Sequence, residues 1–245
     1  MIPQASRYPA LVPHQGPARH RRHGRKAPPR DHHEHRVKVI GPDDQVKARQ
    51  HHRREGVRLE LSFVNINPVV RIDGAQLIRP TPHVDERGFF CRTFDADVMR
   101  TAGIDPNAFV QDSLSRSARG VVRGLHIRRG DGEAKLVRCS YGAVFDVIVD
   151  LRPSSPTYRN WESFELRDDE QVSLYVPAGC AHGFQALTDP ADVSYRIDRA
   201  HDPAEDVSIA FDDSELAIPW PLPVTIVSQR DRLAPTLTVA MRTLT

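Results

Sequence analysis

Two histidines stand among short apolar runs and tight turns: His126 in Arg123-Gly124-Leu125-His126, and His182 in Pro177-Ala178-Gly179-Cys180-Ala181-His182-Gly183. An imidazole titrates near pH 6.5, at about working pH, so either ring suits proton transfer or metal ligation. A catalytic divalent ion needs about three protein ligands. His126 is followed by Ile127 and Arg128, so the local pattern supplies no His-x-His pair and the ligand set falls short. Proton transfer suits the neighbours better. Arg123 and Lys135 are cations close by in sequence, and Tyr195 ends an alternating run that could place a phenol in the same cavity. Removing a proton beside a carbonyl creates an enolate, and an ammonium such as Lys135 at the carbonyl oxygen would stabilise the charge that develops. Each residue also has a structural reading: His126 bonded to backbone, Lys135 and Arg123 as surface cations, Tyr195 as a core aromatic with a wet tip.

Such a set needs a scaffold that converges distant residues. From Val69 onward the chain consists of short apolar runs separated by Gly, Pro, Asp and Asn at spacings of about ten residues, the pattern of an all-β sandwich or barrel. Val144 to Leu151 alternates most clearly, with Phe145, Val147, Val149 and Leu151 predicted to face the core and Asp146 and Asp150 the other side. Further strands are expected at Lys135 to Tyr141, Trp161 to Leu166, Val172 to Val176, Phe184 to Leu187, Val193 to Ile197 and Val207 to Phe211. One helix is expected, Asp95 to Ala102, with Asp95 as N-cap and Gly103 as its stop. There is no βαβ alternation and no GxGxxG or GxxxxGK[ST] loop. The expected architecture is a double-sheet, cupin-like jelly roll. The Pro-x-Gly-x-x-His form around His182 resembles that of metal cupins and keeps a metal-dependent cupin oxygenase as an alternative.

Charge divides the chain. Residues 1–56 hold 13 of the 34 Lys/Arg but only 5 of the 32 Asp/Glu, with eight of the twelve histidines. Such a segment buries too little apolar surface to offset its ordering entropy, so residues 1–68 are expected to form a disordered basic, His/Pro-rich arm before a domain over 69–245. Neither aromatic interleaving nor amphipathic spacing accompanies the charge, so nucleic acid is not the expected partner. Cys91, Cys139 and Cys180 form no CxxC pair, and no apolar run reaches the roughly 18 residues of a membrane span or the h-region of a secretory signal. A cytoplasmic protein is expected.

Several segments, read in order, resemble one family. They are Asp85-Glu86-Arg87-Gly88-Phe89-Phe90, Phe109-Val110-Gln111, Gly120-Val121-Val122-Arg123-Gly124-Leu125-His126, Lys135-Leu136-Val137-Arg138, Ser155-Pro156-Thr157-Tyr158, Pro177 to Phe184, Ile218-Pro219-Trp220-Pro221 and Ser228-Gln229-Arg230-Asp231. Together they resemble the dTDP-4-dehydrorhamnose 3,5-epimerase family over about Val70 to Leu237. The resemblance implies a homodimeric jelly roll, without metal or dissociable cofactor, that inverts carbons flanking a sugar 4-keto group on a dTDP-4-keto-6-deoxysugar. It implies His126 as base, Asp231 as its carboxylate partner, Tyr195 as acid and Lys135 as the cation at the enolate oxygen. His182 and Arg123 match further pocket residues, and Arg87, Phe90, Gln111 and Arg230 match positions that hold the nucleotide diphosphate. Departures occur at Ser113, at His201 where a second Tyr is usual, and in a one-residue-shorter segment carrying Arg128 and Glu133 where Gln is common. These edits predict a different sugar nucleotide or inversion at one carbon only, and leave a non-catalytic sugar-nucleotide module as a further alternative.

Overall fold

Alternation of apolar and polar residues builds two antiparallel sheets in a computed structural model that describes residues 64–244. Thirteen strands form among the described residues: β1 (Val64–Pro68), β2 (Gln76–Pro80), β3 (His83–Asp85), β4 (Gly88–Phe90), β5 (Gln111–Ser117), β6 (Val122–Arg128), β7 (Lys135–Tyr141), β8 (Ala143–Asp150), β9 (Trp161–Arg167), β10 (Ser173–Val176), β11 (Cys180–Ala186), β12 (Ala191–Ile197) and β13 (Asp206–Ser208). One sheet runs β1-β2-β10-β7-β12-β5 and the other β13-β6-β11-β8-β9, while β3 and β4 make a separate hairpin. The jelly-roll expectation holds. No described helix is long and apolar enough to cross a membrane.

The core between the sheets takes Val137, Cys139 and Val193 from the first sheet and Val144, Ile148, Cys180 and Phe184 from the second. Full burial of such side chains stabilises by about 1.5–3 kcal/mol each before entropy is counted. Strand β8 is buried on both faces, which corrects the expected division into a core face and a polar face. Val147, Val149 and Leu151 pack outward against Leu216, Ile218, Leu237 and Ala240 of the C-terminal segment. Asp146 and Asp150 are likewise fully buried.

The expected helix forms as α1 (Ala96–Thr101). Asp95 caps it by accepting from the Asp97 and Val98 amides, and Gly103 ends it with a φ of +76°. Val98 and Met99 bury against Ile78 and Leu136 on the outer side of the first sheet. Two more helices correct the one-helix expectation: α2 (Gln229–Arg232) and α3 (Leu237–Leu244). Their short length hides the helical period in the sequence, and Pro235 between them reads as loop.

The expected boundary at residue 69 also moves. Val64–Pro68, assigned to the arm, pairs residue for residue with β2, and Val64 and Ile66 pack against the α1 cluster. Asn65, Asn67 and Pro68, poor strand formers, mask this signal. The remainder of the arm, residues 1–63, lies outside the described residues. The strand expected at Phe184 begins instead at Cys180, which places His182 inside β11 rather than in a turn.

Candidate active site

Strands β6 and β11 are neighbours in the second sheet, and their register sets His126 directly across from His182. The approach depends on glycine. Gly124 has a φ of +122°, and a Cβ there would stand 2.6 Å from the Gly183 Cα. Between the two sheets lies a cavity of about 560 Å3, lined by Gln111, Ser113 and Ser115 of β5, Arg123, His126 and Arg128 of β6, Lys135 of β7, His182 of β11, Tyr195 of β12, His201 of the β12–β13 connection, and Arg230 and Asp231 of α2.

His126 Nε2 lies 2.6 Å from Asp231 Oδ1, across 105 residues of sequence. Ser228 caps α2, its hydroxyl accepting from the Asp231 amide at 3.0 Å, and so fixes the buried carboxylate. Burial pushes the Asp231 carboxyl up, but hydrogen bonds from His126, Ser228 and the Gly124 N–H outweigh it and hold the group below its ordinary range. An ionised carboxylate only accepts, so Nε2–H donates and Nδ1 of the neutral ring carries the lone pair that can take a proton.

A second imidazole–carboxylate pair lies deeper. His182 Nε2 is 2.8 Å from Asp146 Oδ2, both side chains being buried, and Asp146 Oδ1 has no hydrogen-bond partner. Burial raises the Asp146 carboxyl despite His182 and Lys135. The Tyr195 ring meets His182 edge-on at 6.1 Å, and its hydroxyl is 3.2 Å from Ser115 Oγ. Burial drives the Tyr195 phenol well above its usual value, so it stands as a neutral O–H donor. Lys135 Nζ lies 3.0 Å from Glu133 Oε1.

Of the residues singled out in the sequence, the cavity thus gathers His126, Tyr195, Asp231, Lys135, Gln111, Ser113, Arg123, His182, His201 and Arg230. Gln111 donates to Ser113 Oγ at 3.1 Å, Arg123 to Ser117 Oγ at 2.9 Å, and Arg230 to Ser208 Oγ at 2.8 Å. Arg87 and Phe90 are not brought in. They belong to the exposed β3–β4 hairpin, with the Arg87 guanidinium paired to Asp85. Sequence reasoning missed Asp146 and Ser115 as partners of His182 and Tyr195. The only signal for Asp146 was a carboxylate set within a β8 run of buried residues. Among the described residues no three His, Cys, Asp or Glu side chains gather as a metal-ligand set.

The fold and cavity define a cupin-like jelly roll whose interior holds an imidazole–carboxylate pair facing a phenol and an ammonium. A model of the dTDP-4-dehydrorhamnose 3,5-epimerase family matches residues 69–238. The chain is 42% identical over 164 residues to the dTDP-4-dehydrorhamnose 3,5-epimerase of Methanothermobacter thermautotrophicus, covering 66% of this chain and 88% of the relative. It is 41% identical to a dTDP-4-dehydrorhamnose 3-epimerase of Streptomyces niveus, covering 66% and 78%. The crystal structure of a dTDP-6-deoxy-D-glucose-3,5-epimerase of Legionella pneumophila in complex with dTDP-4-keto-L-rhamnose superposes with a TM-score of 0.69 at 38% identity, over 74% of this chain and 96% of that one. The chain belongs to the dTDP-4-dehydrorhamnose 3,5-epimerase family, a family of isomerases.

Proposed function

We propose that the protein inverts C3, C5 or both of a dTDP-linked 4-keto-6-deoxyhexose by proton transfer through an enolate, with no metal or dissociable cofactor. The observation that carries this is the placement of His126 on one sheet, bonded to Asp231 of α2, and of Tyr195 on the facing sheet of a single cavity. His126 Nδ1 removes the proton from a carbon beside the keto group, and the C–H electron pair moves to form the enolate. Asp231 stabilises the imidazolium that results, and Lys135 lowers the energy of the charge on the oxygen. The Tyr195 O–H then gives a proton to the opposite ring face, after which the phenol regains one from solvent and the imidazolium releases its own. An acid and a base on opposite walls are what inversion requires, whereas binding alone needs neither.

Ser113, Glu133 and His201, the edited positions, all line the cavity, which supports a sugar or a carbon selectivity that departs from the usual one. Arg87 and Phe90 stand outside their own cavity beside the exposed Val84 and Phe89, which supports a homodimer in which the hairpin of one copy meets the nucleotide of the other. Proton NMR with dTDP-4-keto-6-deoxyglucose in deuterated buffer tests the reading, beside a His126→Ala control. Deuterium entering at C3, C5 or both, and lost in the control, is expected, and the pattern counts the carbons. Exchange that survives in the control would overturn the assignment of His126.

A further inference from the structure

Arg128 ends β6 and Glu133 lies on the loop that leads into β7, and both line the cavity. The Arg128 Nε stands in ion-pair range of two carboxylates, 3.2 Å from Glu133 Oε2 and 3.8 Å from Glu205 Oε2, without a hydrogen bond to either, while the other Glu133 oxygen is the one 3.0 Å from Lys135 Nζ. Exposure of the three side chains is 2%, 11% and 8%, so one carboxylate sits between two cations with little solvent to screen them. Arg128 reaches further. Its Nη1 donates to the Ala200 carbonyl at 2.6 Å, one residue before His201. Its Nη2 is 3.8 Å from Asp206 Oδ1, and Asp206 Oδ2 accepts from Arg230 Nη1 at 3.2 Å, beside Asp231 in α2. Contacts therefore run without a break from Lys135 to the helix that carries the partner of His126.

We propose that Arg128 and Glu133 act together as a positioning unit for the proton transfer. Glu133 holds the Lys135 ammonium where the enolate oxygen develops, and Arg128 neutralises Glu133 and ties it to the His201 loop and α2. This rests on the proton-transfer reading above. A lysine stem has several free rotors, and an anchoring carboxylate narrows them. That carboxylate would by itself repel the developing enolate, an effect Arg128 offsets. Removing one partner of a buried pair is costly because the other charge is left uncompensated, whereas removing both is often mild. Arg128→Gln leaves Lys135 as the one cation on Glu133, so the carboxylate's charge is less offset beside the enolate; Glu133→Gln takes away the anion between Arg128 and Lys135, with Arg128 keeping Glu205 and Asp206; and the double Gln variant leaves neutral amides able to hydrogen-bond across the same gap.

The test is a double-mutant cycle on the full chain, reading kcat and KM from deuterium incorporation and dTDP affinity by calorimetry. Each single variant is expected to lose about 30-fold in kcat with KM and dTDP affinity within about threefold, and the double variant to recover about tenfold over Glu133→Gln. Losses that multiply in the double variant, or that fall on KM alone, overturn the unit. If Glu133→Gln does not fold, a folded and active double variant still shows the coupling, and an unfolded double variant refutes it. Wild-type protein that exchanges no deuterium sinks the proton-transfer reading and this inference with it, while wild-type exchange with independent single variants sinks this inference only.

Discussion

Replacing Asp231 by Asn changes one oxygen to an amide nitrogen and removes one charge from the pair that makes His126 a base. As His126 takes up a proton, the imidazolium and carboxylate become opposite charges about 4 Å apart between their centres. At an effective dielectric of about 20 that attraction is worth about 4 kcal/mol. The His126 side chain is 37% exposed, so solvent trims this to about 3 kcal/mol. Each 1.36 kcal/mol is a factor of ten in rate, giving a loss of about 100-fold in kcat. The attraction exists only once the ring is charged, so KM should hardly move. The assay is the rate of solvent deuterium entry at C3 and C5, followed by NMR at saturating substrate, with the thermal midpoint checked for folding. A folded Asn variant within about threefold of wild type in kcat would refute the coupling of Asp231 to the proton-accepting ring. A raised KM at unchanged kcat would place Asp231 in substrate binding instead.

Tyr195→Phe keeps the ring contact with His182 but removes the O–H, so formation of the inverted sugar should fall by about 100-fold or more while deuterium exchange at the first carbon persists; comparing product and wash-in by NMR decides it, and equal loss of both would count against Tyr195 as the acid. Burial raises the Asp150 carboxyl, yet hydrogen bonds from Arg152, Ser155 and Thr157 prevail and hold it at about 2 rather than 3.8. A depressed folded value contributes stability that is present above the unfolded value and lost as pH falls through the folded one, here about 2 kcal/mol disappearing between pH 4 and about 2. Urea unfolding across that window should show the loss in wild type and a flatter curve in Asp150→Asn. Gly124→Ala sets a Cβ 2.6 Å from the Gly183 Cα at a φ of +122°, so a destabilisation of about 3 kcal/mol or more is expected, read as a drop in thermal midpoint; an unchanged midpoint would mean that β6 and β11 can separate freely.

Much of the fold is legible because strand alternation is a local property. The β7, β8, β9 and β12 runs could be read from their own residues, as could α1 from Asp95 and Gly103. Strand β1 could not, nor were β2 to β6 or helices α2 and α3 among the expected elements. The first has asparagines and a proline where strand formers are expected, and the helices are too short for a period to emerge. The two-sided burial of β8 was hidden for a related reason. Alternation tells which residues share a face, but whether a face meets solvent depends on Leu216, Ile218 and Leu237, more than sixty residues away.

The candidate site divides along the same line. Sequence by itself determined the chemical inventory: imidazoles at 126 and 182, an ammonium at 135 and a phenol at 195, while the ordered motifs carried a family resemblance that implied Asp231 as the partner of His126. Which groups touch was decided by tertiary structure alone. The pairing of His182 with Asp146 follows from β11 lying beside β8, and the contact of Tyr195 with Ser115 from β12 lying beside β5. The exclusion of Arg87 and Phe90 from the cavity, and the bridge from Lys135 through Glu133 and Arg128 to Arg230, likewise follow from where the strands and loops close. The physical reason is that residue type and local period are properties of neighbours along the chain, while hydrogen bonds and ion pairs act over about 3 Å and depend on how distant segments are brought together.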